Sequence, residues 1–211
     1  MGDAATCIDP LSSFGVKKAL ASGWLAGVVI NTILQSPAMQ DDALAFFEAR
    51  ERAVATSFRN QAARYAVSAT GDSGHPFWEA RAGEFAGSEG PASEDASALA
   101  RDPDVLAAVR DLQARPTISL RIGDHARIEP RPVIRGRTLV MEDHVCLPAW
   151  PDGLRYIRNV DLVLVMRLAE AHHDVGELYE ALVRIQPGVS LPDVLGVLAT
   201  LVARGGLQHK M

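Results

Sequence analysis

The chain has 211 residues, 48% hydrophobic and 22% charged, enough to bury a core in one domain of moderate size or two small ones. Lys plus Arg number 21 against 26 Asp plus Glu, and the net charge of -5 disfavours nucleic-acid binding by bulk electrostatics. Two cysteines, Cys7 and Cys146, supply neither a disulfide framework nor a zinc-ligand pattern, so free thiols in a reducing cytoplasm are expected.

The N-terminus lacks the charged, apolar and small-residue sections of a signal peptide. The most apolar run, 19–34, contains Ser22, Gly23, Gly27, Asn31 and Thr32. It falls short of the roughly 20 apolar residues of a membrane span, and a buried core helix is expected instead. That helix should run over 16–35, after the turn-rich stretch Asp9-Pro10-Leu11-Ser12-Ser13-Phe14-Gly15. Ser36-Pro37 should end it, because the residue before a proline avoids the α region. A longer helix is predicted over 40–69, with Leu44, Phe47, Val54, Phe58 and Tyr65 as its apolar stripe and Glu48 and Arg52 four apart on its wet face. A short amphipathic turn follows over 75–85.

Composition then changes. Residues 87–95 hold no large apolar side chain and read as a linker, followed by a short helix over 103–114. Thr117-Ile118-Ser119-Leu120-Arg121-Ile122 alternates like a half-buried strand. Residues 133–135 and 138–141 flank Gly136 as a candidate hairpin, and 145–147 form a further short strand. Helices return over 160–171, 175–185 and 191–204. The expected class is therefore α+β and helix-rich, divided into 1–86, a linker with a short helix over 87–116, and a small module over 117–208.

Met1-Gly2-Asp3-Ala4-Ala5, then Asp9 to Gly15 and Val16, resemble the second FAD-binding segment of the flavin-dependent monooxygenase and tryptophan-halogenase superfamily. There a Gly-Asp-Ala strand end precedes an Asp-Pro loop and a glycine that opens a long helix. The resemblance implies an FAD site at Gly2, Asp3, Asp9, Pro10, Leu11, Ser12, Ser13, Phe14, Gly15 and Val16. Asp3 would accept hydrogen bonds from ribityl or ribose hydroxyls. Pro10 would stiffen the loop, and Gly15 would let the backbone pass close to a flat ring. The helix beginning near Gly15 would aim its positive end at that ring, while 19–34 would lie beneath a sheet. The family's glycine-rich dinucleotide fingerprint, its tryptophan-containing motif and its catalytic lysine have no counterpart here, since all lie upstream in the family. The resemblance thus implies the C-terminal part of such an enzyme: a truncated frame, a fragment, or one half of a split protein completed by an N-terminal flavin-domain half. The fold expectation for 1–86 is a truncated FAD-binding remnant.

A winged helix over 117–208 first suggests DNA, but the last predicted helix carries Asp193 and a single basic residue, Arg204, at its far end. The module is more similar to the winged-helix peptide-binding domain of the pyrroloquinoline-quinone peptide chaperone and related precursor-peptide recognition elements. The similarity lies in the strands, in Val175–Leu182, and in the run from Val194 to Gly205-Gly206-Leu207. It implies a peptide or protein substrate added to a sheet edge. Six arginines between 115 and 137 stand against Asp124 and Glu129. Arg121, Arg135 and Arg137 are the candidate contacts to an acidic partner, although such residues also solvate and protect an edge strand.

Other residues carry less. His172 and His173 are adjacent on a helix and point apart, while His144 and Cys146 share a strand face but lack further metal ligands. Trp24, Trp78 and Trp150 read as core or interface anchors. No nucleophile–base pair or phosphate loop stands out, so the catalytic residues are not assigned. The functional expectation is a C-terminal portion of an FAD-dependent monooxygenase or halogenase-like oxidoreductase acting on an aromatic group, such as a tryptophan in a peptide. The alternative is a non-catalytic adaptor or split-enzyme subunit binding a peptide or protein partner.

Overall fold

A computed structural model of the chain describes residues 14–83, 101–115 and 117–210, which fall into two compact units. The first comprises 1–92 with Pro132–Val140, and the second 93–131 with 141–211.

The first unit is built on helices. Helix α1, Gly15–Gln35, stops at Ser36, and the 3-10 turn Pro37–Met39 leads into α2, Gln40–Ser73. Gly74 ends α2 with φ 57, a left-handed conformation that costs glycine nothing, and α3, Pro76–Gly83, follows. Helix α1 is not buried throughout, contrary to the reading of 19–34 as a core helix. Lys18, Ser22, Leu25, Val29 and Thr32 form a buried seam, whereas Val16, Leu20, Trp24, Ile30 and Leu34 are exposed. The helix is apolar nearly all round, so composition gives no direction to its inner face. Helix α2 departs from its expected stripe in a related way. Its buried positions are Ala43, Ala55, Ala63 and Ala66, while Leu44 and Tyr65 are exposed and Phe47, Val54 and Phe58 half-buried. Small side chains admit a neighbouring helix closely, and the bulky ones border the space left beside them.

In the second unit, α4, Pro103–Ala114, has Asp102 as its N-cap, accepting a hydrogen bond from Asp104 N, with proline at the first helical position. Strand β1, Leu120–Ile122, pairs antiparallel with β7, Leu207–His209, placing Leu120 opposite His209. Strands β2, Arg127–Arg135, β3, Thr138–Leu147, and β4, Trp150–Leu154, form a second sheet in that order, of which Pro132–Val140 belong to the first unit. Two-residue strands β5, Tyr156–Ile157, and β6, Val160–Asp161, pair just before α5, Leu162–Ala171. Helices α6, Val175–Ile185, and α7, Leu191–Ala203, complete the strands-then-three-helices order. The short strand expected at 145–147 is the end of the ten-residue β3. Strand β2 runs through Pro130 and Pro132, which an edge strand tolerates because the missing N–H groups can face away from its neighbour.

The core of this unit gathers Leu120, Val145, Leu147, Leu162, Met166, Leu178, Leu182, Leu198 and Leu201 with Val105, Ala108 and Leu112 of α4. The last helix, α7, is apolar because it is a core element: Val194, Leu198 and Leu201 have no exposed surface. An ion pair between Arg204 and Asp102, 2.8 Å, ties its end to the cap of α4. Asp161, 3% exposed, caps α5 through Val163 N and Leu164 N and binds Arg155 through its other oxygen at 2.6 and 2.9 Å. No helix of the described residues is long and apolar enough to cross a membrane.

Candidate functional site

Of the residues expected to line a flavin, Gly2, Asp3, Asp9, Pro10, Leu11, Ser12 and Ser13 lie outside the described residues. Phe14, Gly15 and Val16 open α1. Phe14 is its N-cap and its own side chain makes no capping hydrogen bond, while the first turn contains no acid. The N–H groups at a helix end carry a partial positive charge that suits an electron-rich neighbour. The Phe14 ring tilts against Phe58 with centroids 5.7 Å apart, and Lys17 Nζ lies 5.6 Å from its centre. Val16 is 75% exposed.

Below Phe14, α1 and α2 border a cleft of about 470 Å³, walled by Phe14, Trp24, Leu25, Val54 and Phe58. Lys18 and Glu51 project into this apolar space and form an ion pair at 3.6 Å, with side-chain exposures of 1% and 12%. Glu51 Oε2 is buried and has no hydrogen-bond partner among the described residues. A buried carboxylate oxygen in apolar surroundings carries a desolvation cost that a donor would relieve. Lys17 and Arg50 also line the cleft, so three cations and one carboxylate border it. Sequence reasoning missed both members of the pair. A lysine in a helix is ordinarily solvated, and the only signal was its position on the seam shared with Ser22 and Leu25.

The tip of the β2–β3 hairpin is fixed to the same helix. Thr32 Oγ1 accepts from Leu139 N at 2.8 Å, and Asn31 Nδ2 donates to the Arg137 carbonyl at 2.8 Å. Arg135 and Arg137 thus belong to the first unit and Arg121 to the second. The Arg121 guanidinium donates to Asp124 at 2.6 Å and to Gln208 at 2.8 Å, and this pairing holds the Asp124 carboxyl below its ordinary range. Arg115 pairs with Asp111, while Arg127 and Arg131 both pair with Glu129. Much of the local positive charge between 115 and 137 is therefore matched by neighbouring carboxylates.

His144 and Cys146 do share a face: a Cβ on Gly153 would come within 2.9 Å of His144 Cβ and 3.1 Å of Cys146 Sγ. The thiol accepts from Arg131 at 3.5 Å, and His144 Nδ1 lies 2.8 Å from the Glu142 carbonyl. No group of three or more His, Cys, Asp or Glu is placed to hold a metal among the described residues. Trp150 is buried in the second core, Trp78 packs edge-on to Phe77 at 4.9 Å, and Trp24 is 57% exposed at the cleft.

No protein-family model matches the sequence, and no curated protein matches it. Among solved structures, the chain is similar to "peptidyl tryptophan dihydroxylase QhpG essential for tryptophylquinone cofactor biogenesis", with a TM-score of 0.56 and 26% identity. The likeness covers 97% of this chain and 40% of that one, so this chain spans well under half the length of the protein it resembles.

Proposed function

We propose that this chain is the C-terminal part of an FAD-dependent oxidoreductase of the monooxygenase type, acting on a tryptophan carried by a peptide. The observation that carries the reading is the likeness, across 97% of the chain, to a protein described as a peptidyl tryptophan dihydroxylase. It supports the oxygen-inserting side of the sequence resemblance and gives no support to halogenation. The flavin rests on the loop motif from Gly2 to Val16, and the described end of that loop is compatible with it. Helix α1 has no acidic residue in its first turn and no cap from the Phe14 side chain, and a positive helix end suits an electron-rich ring system. The exposed seam of Val16, Leu20, Ile30 and Leu34, interrupted by Gly23 and Gly27, is the kind of apolar face that a further part of such a fold would cover.

FAD, when bound, would supply the redox chemistry that activates oxygen. The residues of this chain would hold and shield it. Asp3 would accept from its sugar hydroxyls, Gly15 would allow close approach, and Phe14 would close one side. The second unit, with its own core, would act as the winged-helix-like module that presents the peptide and raises its effective concentration.

The test supplies the chain with an N-terminal FAD-binding half, in one polypeptide or as a co-expressed subunit, together with FAD, a nicotinamide reductant, oxygen and a tryptophan-containing peptide. Mass spectrometry should find one or two added oxygen atoms on the tryptophan. Asp3→Ala should weaken FAD retention by about 1–3 kcal/mol, the cost of leaving buried hydrogen-bond partners unmet. A peptide that stays unmodified on a flavin-loaded enzyme, or an Asp3→Ala protein that retains FAD like the parent, would remove the reading.

A further inference from the structure

We infer that the cleft between α1 and α2 is the binding site for the indole ring of the substrate tryptophan, with Glu51 Oε2 accepting the indole N–H. The assignment rests on the proposed function for the identity of the substrate, and on the cleft for everything else. At about 470 Å³ the space lies within the range of small-molecule pockets, about 300–1,000 Å³. Its walls are aromatic and aliphatic: Phe14, Trp24, Leu25, Val54 and Phe58. Rings prefer tilted and edge-on neighbours, the arrangement that Phe14 and Phe58 already make with each other at 47° in the cleft wall.

The polar groups narrow the ligand. Glu51 Oε2 is buried with Lys18 Nζ at 3.6 Å, beyond hydrogen-bond length, so the ligand should bring a closer donor. A cationic donor is disfavoured, because Lys17, Lys18 and Arg50 already line the cleft. A simple anion has no N–H or O–H to give Glu51 Oε2. A neutral ring bearing a single N–H satisfies all three constraints, and indole has that form with no basic second nitrogen, unlike imidazole. Lys18 acts as a positioning residue: its ion pair holds Glu51 against the α1 side of the cleft.

Calorimetric titration of the full 211-residue chain with 3-methylindole, and with 1,3-dimethylindole, which lacks the N–H, tests the assignment. The parent chain should bind 3-methylindole at least about tenfold more tightly, the ratio expected for one hydrogen bond to a charged acceptor. The double variant Lys18→Met, Glu51→Leu replaces the ion pair by apolar side chains of similar volume, an exchange that buried pairs often tolerate. It should bind both compounds and lose the discrimination. Ala21→Trp, on the exposed side of α1 at the cleft, should block both ligands in a chain whose buried pair is untouched. Equal affinity for the two compounds, discrimination that survives the double variant, or binding of neither by the parent would overturn the assignment. Peptide oxidation by the completed enzyme, without indole discrimination here, would sink this pocket and leave the proposed function standing. Discrimination without peptide oxidation would do the reverse.

Discussion

Thr32→Val should loosen the hairpin tip from α1 while leaving the helix intact. Thr32 is 1% exposed, donates its hydroxyl to the Val28 carbonyl at 2.8 Å and accepts from Leu139 N at 2.8 Å. Valine has nearly the same shape, so no cavity forms. What disappears is the acceptor that Thr32 offers to the amide of Leu139, a residue that is itself 3% exposed. Leaving a buried donor unmet costs about 1–3 kcal/mol, whereas the hydroxyl's own bond to Val28 backs up a helix carbonyl and contributes little. The opening equilibrium at the tip should therefore rise about 5- to 150-fold. Amide hydrogen exchange at Leu139, followed by NMR, reads that change directly, with the Val145 amide in the second unit as the internal reference. Thr32→Ser keeps the acceptor and should retain most of the protection. If Leu139 exchanged in Thr32→Val as slowly as in the parent, the hydroxyl would not be what holds the tip, and the reasoning would fail.

Three further outcomes are expected. Gly123→Ala would place a Cβ 1.9 Å from the Gly205 carbonyl oxygen, beside the bond from Gly123 N to Gly206 O. Forced separation there should cost about 2–4 kcal/mol, seen as a lower denaturant midpoint for the second unit, and an unchanged midpoint would contradict the contact. Asp161→Ala removes the cap of α5 and the ion pair of Arg155, which keeps its bond to the Asp143 carbonyl, for a loss of about 2–4 kcal/mol in chemical denaturation; a loss under 1 kcal/mol would mean that water takes over both roles. The Ser190 hydroxyl and then Arg158 hold the Asp193 carboxyl below its ordinary value. A carboxyl depressed in the folded state adds stability that is complete above the unfolded value near ~3.9 and fades as pH falls through the folded one. Asp193→Asn should flatten the acid limb of a stability–pH curve, and an identical limb would argue against that coupling.

Local signals placed the helices well because they are covalently adjacent to their causes. Ser36-Pro37 stops α1, Asp102-Pro103 starts α4, and Ser190 and Asp174 cap α7 and α6 where the periodicity begins. The strands were less legible. Strand β2 hides behind Pro130 and Pro132, and β5 and β6 are two residues each, too short for any alternation to register. The amino-acid sequence by itself determined the α+β class, the apolar character of α1 and α7, and a loop motif entering α1 at Phe14 and Gly15. Only the tertiary structure decided that α1 turns Lys18, Ser22 and Thr32 inward and leaves Leu20, Ile30 and Leu34 outward. It also decided that Glu51, 33 positions along the chain from Lys18, meets it in a cleft, and that Leu139 finds its acceptor at Thr32. Hydrophobic periodicity reports a face only when the opposite face differs from it. A helix apolar nearly all round takes its orientation from the partners that the fold brings to it, and those partners are distant in sequence.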